Sequence, residues 1–330
     1  MMSKFRHFIF NLIRSLFWAA MWLTALGFML WIPLRQWPGD DFRPVQFLNY
    51  FMPWLLLGLI PAFAVAALAR RQWLAGALAL PAAFIIFSYA PLFLPRTGLA
   101  KAESTALTVM SYNVWRNNRD FPATAQAILG QLPDLLLLQE IDSADFEALQ
   151  NELRNRYPDR VFHLAYERRM KQAIISRYPL TPQTASRSQG RAQKVIVHAP
   201  GQEVMVVNVH FSQPYYWQEH YGEMVRLVND VKSVELPVIV GGDFNTTDQS
   251  EVYQMMNRLL ANAHWEAGWG FGFSFPADQR SFRGVTPPTP LIRIDHIFYS
   301  DHFIATAAGT LSDSGGSDHF PIMAELELVD

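Results

Sequence analysis

The chain has 330 residues, enough for roughly two domains at ordinary domain sizes, and a formal net charge of −2. That near-neutral figure conceals two oppositely charged parts: residues 1–101 carry nine Lys or Arg against two acids, whereas residues 102–330 carry eighteen against twenty-seven. A second part at −9 is disfavoured as a general nucleic-acid binder, because such binding draws much of its affinity from phosphate neutralisation by Lys and Arg.

Three uncharged apolar runs fill the first part, Ser15–Leu34, Pro44–Ala69 and Gln72–Pro95. Each reaches the ~20 residues needed to cross a bilayer core, so three transmembrane helices are expected within an anchor spanning residues 1–101. Arg14 marks the edge of the first span, since Arg at the membrane centre costs about 2.5–3.5 kcal/mol. The tryptophans near the span ends, such as Trp18, Trp31, Trp37 and Trp73, suit the interface. A cleaved signal peptide competes for the first run, but two more spans follow and no clear cleavage site is present.

With the N-terminus inside, five Lys or Arg (Lys4, Arg6, Arg14, Arg70, Arg71) lie in the cytoplasm against four outside (Arg35, Arg43, Arg96, Lys101). This narrow bias, with an odd number of spans, places the second part on the outer side of a multi-pass inner membrane protein. The absence of cysteine fits an exported domain.

Pro95–Ser104 reads as a linker. Beyond it, strands are expected at residues 106–114, 134–139, 161–166, 172–176, 194–198, 203–211, 236–240, 293–299 and 322–328, from alternation or short apolar runs. Helical periodicity appears at 121–132, 143–156, 218–232 and 249–260. Residues 102–330 are therefore expected to form an α/β domain with two sheets faced by helices.

Polar residues gather at the strand ends. Val238-Ile239-Val240 feeds Gly241-Gly242 and then Asp243-Phe244-Asn245, a buried strand delivering a carboxylate and an amide from the same side. Such a pair suits the holding of a nucleophilic water, although Gly, Asp and Asn also favour turns for conformational reasons alone. Asn113, Glu140, His210, Asp295 and the pair Asp318-His319 stand at other strand ends. Singly each has a plain explanation: Glu140 as a helix-start residue, a lone histidine as a hydrogen-bonded core or surface group, Asp295 as the partner of Arg293. Together they form a carboxylate, amide and imidazole set where α/β folds place their chemistry.

The ordered blocks Ser111-Tyr112-Asn113, Leu138-Gln139-Glu140, Asn208-Val209-His210, Gly242-Asp243-Phe244-Asn245, Ile294-Asp295-His296-Ile297 and Ser317-Asp318-His319-Phe320-Pro321 resemble the endonuclease/exonuclease/phosphatase superfamily. Its members include deoxyribonuclease I, repair endonucleases, deadenylases, sphingomyelinases and inositol polyphosphate 5-phosphatases. The resemblance covers about residues 105–330. It implies a four-layer sandwich of two mixed β-sheets flanked by helices, and in-line hydrolysis of a phosphate ester. It further implies that Asn113 and Glu140 hold or neighbour a divalent metal, with Asp318 contributing; oxygen ligands suit Mg²⁺ or Mn²⁺. Asp243 would orient or deprotonate the attacking water, Asn245 would steady it, His319 polarised by Asp295 would stabilise transition-state charge, and His210 would assist the leaving group.

Two departures stand out. Met170-Lys171-Gln172 occupies a place where relatives usually carry glycine, and Arg293-Ile294-Asp295-His296 replaces the late motif of the 5-phosphatases. Asp313-Ser314-Gly315-Gly316 has a serine-protease look, but no matching histidine block accompanies it. The glycine- and aromatic-rich stretch 265–275 reads equally as a mobile loop beside the site or as core. Arg154, Arg156, Arg160, Arg168, Arg169, Lys171 and Arg177 cluster in sequence, either flanking the site or forming a solvated basic face. A phosphate-ester substrate, lipid-linked if the tether holds the domain near the membrane, is favoured over nucleic acid. A catalytically silent tethered module is the alternative of another class.

Overall fold

The computed structural model describes residues 2–94, 106–183, 191–277, 286–287 and 290–329. Two compact units result, one up to Pro91 and one from Leu92 onward. The linker expected at Pro95–Ser104 and the domain boundary expected near residue 101 lie outside the described residues.

The first unit is helical: α1 (Met2–Leu34), α2 (Arg43–Tyr50), α3 (Leu56–Leu68) and α4 (Gln72–Tyr89). Lys4–Leu34 and Gln72–Phe93 are each long and apolar enough to cross a membrane, with mean hydropathies of 1.7 and 1.8. The second expected span is not one helix. Residues 43–50 and 52–68 meet at 86°, so three spans are present only if this bent pair crosses as one. Pro53 sits in the 3₁₀ turn Met52–Leu55 at the bend, where its missing N–H and its restriction of the preceding residue interrupt an α-helix. Trp31 also departs from its expected interfacial role. It is buried, and its indole N–H donates to Asn49 Oδ1 (3.1 Å), whose amide donates to Asp40 Oδ1 (2.6 Å).

In the second unit the strands are β1 (Ala106–Asn113), β2 (Leu135–Gln139), β3 (His163–Glu167), β4 (Gln172–Ser176), β5 (Leu180–Pro182), β6 (Ala192–Ala199), β7 (Gln202–His210), β8 (Val238–Asp243), β9 (Ala261–Asn262), β10 (Asp295–Tyr299), β11 (Phe303–Thr310) and β12 (Ile322–Leu328). The helices are α5 (Phe121–Leu129), α6 (Ser143–Arg156), α7 (Trp217–Lys232), α8 (Glu251–Asn257) and α9 (Ala263–Ala267). One six-stranded sheet runs β11-β12-β1-β2-β4-β3 and the other β5-β6-β7-β8-β10-β9. Each is mixed, with a single parallel pair, β1 with β2 and β7 with β8.

Alternation along the strands decides the layering. Leu107, Val109, Leu135 and Leu137 of the first sheet meet Val204, Val206, Ile239 and Ile297 of the second in one inter-sheet core. The intervening residues Met110, Leu136 and Leu138 face Ile128, Phe146 and Leu149 of α5 and α6. Val207, Val209 and Val240 face Met224, Leu227 and Val252 of α7 and α8. Both faces of the central strands are buried, which is why they read as near-continuous apolar runs rather than alternating ones. Helix, sheet, sheet and helix form the four expected layers.

Gly241 and Gly242 are required by this packing. A Cβ at Gly241 would lie 2.6 Å from Leu137 Cδ1 across the sheets, and one at Gly242, where φ is +149°, would lie 2.0 Å from the Val209 carbonyl oxygen. Gly242→Ala should therefore destabilise the domain by about 3 kcal/mol through strain and overpacking. In a thermal melt this lowers Tm by roughly 6–12 °C; an unchanged Tm would contradict the packing described.

Candidate active site

The strand register brings the polar residues together. Antiparallel pairing of β10 with β8 sets Asp295 opposite Asp243, and parallel pairing of β7 with β8 sets His210 opposite Asp243, so three polar residues share one rung. Asn113 ends β1 on the facing sheet, opposite Gln139, and Glu140 follows directly. Glu140 holds a left-handed φ of +59°, which a non-glycine residue adopts at a cost of order 1–3 kcal/mol, and its backbone bends out of β2 there. Asp318 and His319 enter from the loop before β12.

Asp243 is the hub. Its Oδ2 accepts from Asn113 Nδ2 (3.0 Å) and Asn245 Nδ2 (3.3 Å), and its Oδ1 accepts from the Asn245 backbone N–H (2.8 Å). His210 Nε2 lies 3.7 Å and His319 Nε2 3.9 Å from the same Oδ2. Burial pushes the Asp243 carboxyl up to about 7, against the opposing pull of His319. Asn245, itself at φ +49°, also donates to the Phe211 carbonyl (3.0 Å), which fixes the amide against Asp243.

His319 and Asp295 form a buried pair, Nδ1 to Oδ2 at 2.9 Å. Burial alone would depress the imidazole, but Asp295 by charge and hydrogen bond, followed by Asp243 and Asp318, raises it to about 10. The Asp295–Arg293 pairing considered from sequence does not occur. Arg293 is buried against Asp248 instead, at 2.6 Å. His296 points elsewhere in the core, to the Thr246 carbonyl (2.8 Å). His210 is pushed down to about 4, chiefly by burial, so it is a neutral imidazole near pH 7, 3.6 Å from Glu140 Oε1.

Glu140 stands close enough to Asp318 for its charge to act on that carboxyl. Burial raises Asp318, with Glu140 adding to the rise, while for Glu140 the imidazoles of His210 and His319 and the Arg116 N–H outweigh burial and hold it down. Asp318 Oδ1 is buried without a hydrogen-bond partner. An orphaned carboxylate oxygen beside a second carboxylate is the donor chemistry of a hard divalent cation, so these residues fit the metal that the resemblance implies. Asn113 is less available than expected: its Oδ1 already accepts from the Trp115 N–H (3.0 Å). Among the described residues, the one group of three or more His, Asp or Glu with ligand atoms within 4.8 Å of one another is Asp243, Asp295 and His319. Hydrogen bonds occupy Asp243 and His319 Nδ1 in this group, while Asp295 Oδ1, like Asp318 Oδ1, is buried without a hydrogen-bond partner.

Of the eight residues singled out from sequence, Asn113, His210, Asn245 and His319 approach Asp243, Asp295 holds His319, Glu140 lies near His210, and Asp318 lies near enough to Glu140 and His319 for their charges to act on it. Two supports escaped notice. Ser274 Oγ donates to Asp295 Oδ2 (2.6 Å), and Ser317 Oγ, which donates to the Asn113 carbonyl (2.7 Å), receives the His319 backbone N–H (3.1 Å). Ser274 lies in the aromatic stretch 265–275, which divides between the two readings offered for it. Trp265, on α9, is partly buried against the core beneath α7 and α8 and donates to Asp248 (3.1 Å), Phe275 packs on the His319 ring at 4.8 Å, and Trp269 is exposed. The stretch is pinned, with the Ser274 carbonyl accepting from the Phe320 N–H (2.8 Å).

Known proteins share the fold. A UPF0294 protein of Vibrio cholerae is 25% identical over 235 residues, covering 68% of this chain and 78% of that protein. Among solved structures, an endonuclease/exonuclease/phosphatase family protein from Bacteroides thetaiotaomicron superposes with a TM-score of 0.54 at 19% identity, covering 69% of this chain and all of that one. A mannosyl-6-phosphatase from the same organism superposes with a TM-score of 0.51 at 20% identity, covering 67% and 99%. Residues 110–319, from the middle of β1 to the histidine paired with Asp295, match the model of the Endonuclease/Exonuclease/phosphatase family, and the chain belongs to that family.

Proposed function

We propose that this chain is a membrane-anchored, divalent-cation-dependent hydrolase of phosphate esters. The observation that carries the reading is the buried Asp295–His319 pair facing Asp243, with the carboxylates of Glu140 and Asp318 nearby.

In this reading a water attacks the phosphorus in line with the leaving oxygen, and Asp243 Oδ2 takes its proton. A carboxylate raised to about 7 is a competent base near neutral pH, since general-base efficiency peaks when the pKa lies close to the working pH. Asn113 and Asn245 hold the carboxylate and the attacking water in place. His319, kept as imidazolium by Asp295, donates to a phosphoryl oxygen as negative charge builds there. Neutral His210 hydrogen-bonds near the leaving group. Mg²⁺ or Mn²⁺ held by Glu140 and Asp318, with Asn113 alongside, would supply neutralisation of phosphoryl charge. His210→Ala should lower kcat by roughly 10- to 100-fold, less than loss of the base itself, because removing an assisting neutral donor forfeits part of a typical acid–base contribution. A steady-state assay distinguishes this from loss of binding alone, which would raise KM and spare kcat.

The anchor is assigned to Lys4–Leu34 and Gln72–Phe93, with the bent pair between them as a third crossing. The charge bias of the flanking residues favours an outward-facing catalytic domain, which protease accessibility in spheroplasts tests. Tethering near lipid favours a lipid-linked or envelope phosphoester over DNA or RNA. A silent binding module is disfavoured because every expected catalytic position is occupied by the required residue type. Turnover of model phosphate esters by the full-length chain tests the reading.

A further inference from the structure

Beside Glu140 and His210 opens a cleft of about 490 Å³ whose walls carry more positive charge than hydrolysis of one ester requires. Arg116, Arg169, Lys171, Arg191 and Arg226 line it. They arrive from four separate segments: the loop after β1, the β3–β4 turn, the start of β6 and the exposed side of α7. A solvated basic face made by neighbours in sequence would not converge in this way. The sequence cluster itself largely disperses, with Arg156 on Glu152 (2.7 Å) and Arg177 on Asp134 (3.2 Å).

Three acids also line the cleft, Glu140, Glu219 and Glu223, against five bases. Glu219 and Glu223 both approach Arg191, at 4.0 and 3.4 Å, and Glu223 is also bound by the Ser212 N–H (2.7 Å) and hydroxyl (3.2 Å). Among the described residues Arg116, Arg169, Lys171 and Arg226 have no ion-pair partner within 4.0 Å. Four like charges around one concavity repel one another, and an anion entering it relieves that repulsion.

The β3–β4 turn adds an independent sign. Lys171 holds a left-handed φ of +53°, a conformation glycine adopts freely and lysine does not. The turn thus accepts local strain and presents an ammonium group to the cleft.

We infer that this cleft is a second anion subsite, and that the substrate carries a further phosphate beside the scissile one, gripped by Arg116, Arg169, Lys171 and Arg226. The inference rests on the phosphoester-hydrolase reading and narrows its substrate class to esters with two phosphates close together. Guanidinium forks are well matched to phosphate oxygens, and charge-assisted bonds of this kind are about twice as strong as neutral ones.

The test uses the full-length chain in neutral detergent and the double variant Arg169→Gln/Arg226→Gln, neither residue belonging to the catalytic set. Matched substrates differ by one phosphate. 3-Phosphoglycerate against 2,3-bisphosphoglycerate forms the soluble pair, and phosphatidylinositol 4-phosphate against phosphatidylinositol 4,5-bisphosphate in mixed micelles forms the lipid pair, so each pair differs by one neighbouring phosphate. The extra phosphate should raise kcat/KM by roughly tenfold to a hundredfold in at least one pair, which also identifies the source of the phosphate. The double variant should erase that preference while turning over bis-p-nitrophenyl phosphate as before. Absence of the preference in both pairs, or its survival in the variant, would overturn the inference. In parallel, inorganic pyrophosphate is titrated into metal-free protein. Saturable, salt-sensitive binding that the double variant loses supports the subsite even if no ester is hydrolysed, and then only the hydrolase reading falls. Ester turnover with pyrophosphate binding absent, or equal in both proteins, removes the subsite and leaves the hydrolase.

Discussion

Asp243→Asn is expected to lower kcat by about 10³-fold or more, since the substitution removes the proton acceptor and leaves the shape of the site intact. The same change should not cost stability above neutral pH. The Asp243 carboxyl is raised to about 7 by burial, above an unfolded value near 3.8, so its ionised form is disfavoured in the fold once the pH passes 7. Between those values the folded state binds more protons than the unfolded chain, and this group's contribution to stability falls as pH rises. A neutral amide escapes that penalty. A Tm at pH 8 equal to or above wild type, together with the lost turnover, is the expected combination, as at sites where function and stability conflict. Unchanged kcat would remove Asp243 from the role of base.

Asp295→Asn is expected to act through His319. With Asp295 present, the imidazole is raised to about 10 from an ordinary 6.5, so it stays charged across the neutral range. Because the folded value lies above the unfolded one, the stability this pair contributes is complete below about 6.5 and is lost as pH rises through about 10. The amide removes the charge and can present the wrong hydrogen-bonding partner to Nδ1. The alkaline limb of kcat/KM should move downward from near 10, and the loss at pH 9 should reach roughly 10³- to 10⁴-fold, the scale seen when an orienting carboxylate of an imidazole is replaced by its amide. Titration of the His319 ring by NMR separates this from a merely structural effect. An unmoved ring pKa would show that Asp295 does not hold the imidazolium.

The site was legible in the sequence to the extent that its chemistry sits at strand ends. Asn113, Glu140, His210 and Asp243 each terminate or directly follow an apolar run, and the two buried sheet faces made those runs continuous. Ser274 and Ser317 were not legible, because a serine in a loop carries no periodic signal and gains its role only when β10 and β12 are brought alongside. The convergence of Arg116, Arg191 and Arg226 with Arg169 and Lys171 depends on four segments meeting, whereas adjacency in sequence pointed toward arginines that pair elsewhere.

The fold shows the same division. β11 passed unnoticed: half of Phe303–Thr310 is alanine or glycine, which do not favour strands, and its register shifts between Ala305 and Ala307. The edge strand β5 contains only three residues, including Pro182, too few for a period. In the first unit, hydropathy located the apolar run 44–69 but not its 86° bend, since composition registers length and polarity while the break depends on local backbone geometry at Pro53.

The most direct test of the central claim is the turnover of bis-p-nitrophenyl phosphate and p-nitrophenyl phosphate by the full-length chain in detergent, with Mg²⁺ or Mn²⁺, with chelator, and with His319→Ala as the control. The account predicts hydrolysis of at least one ester that chelation abolishes, that added cation restores, and that the variant lacks while remaining folded. A folded wild-type protein that hydrolyses neither ester with either cation, or a variant as active as wild type, would contradict it.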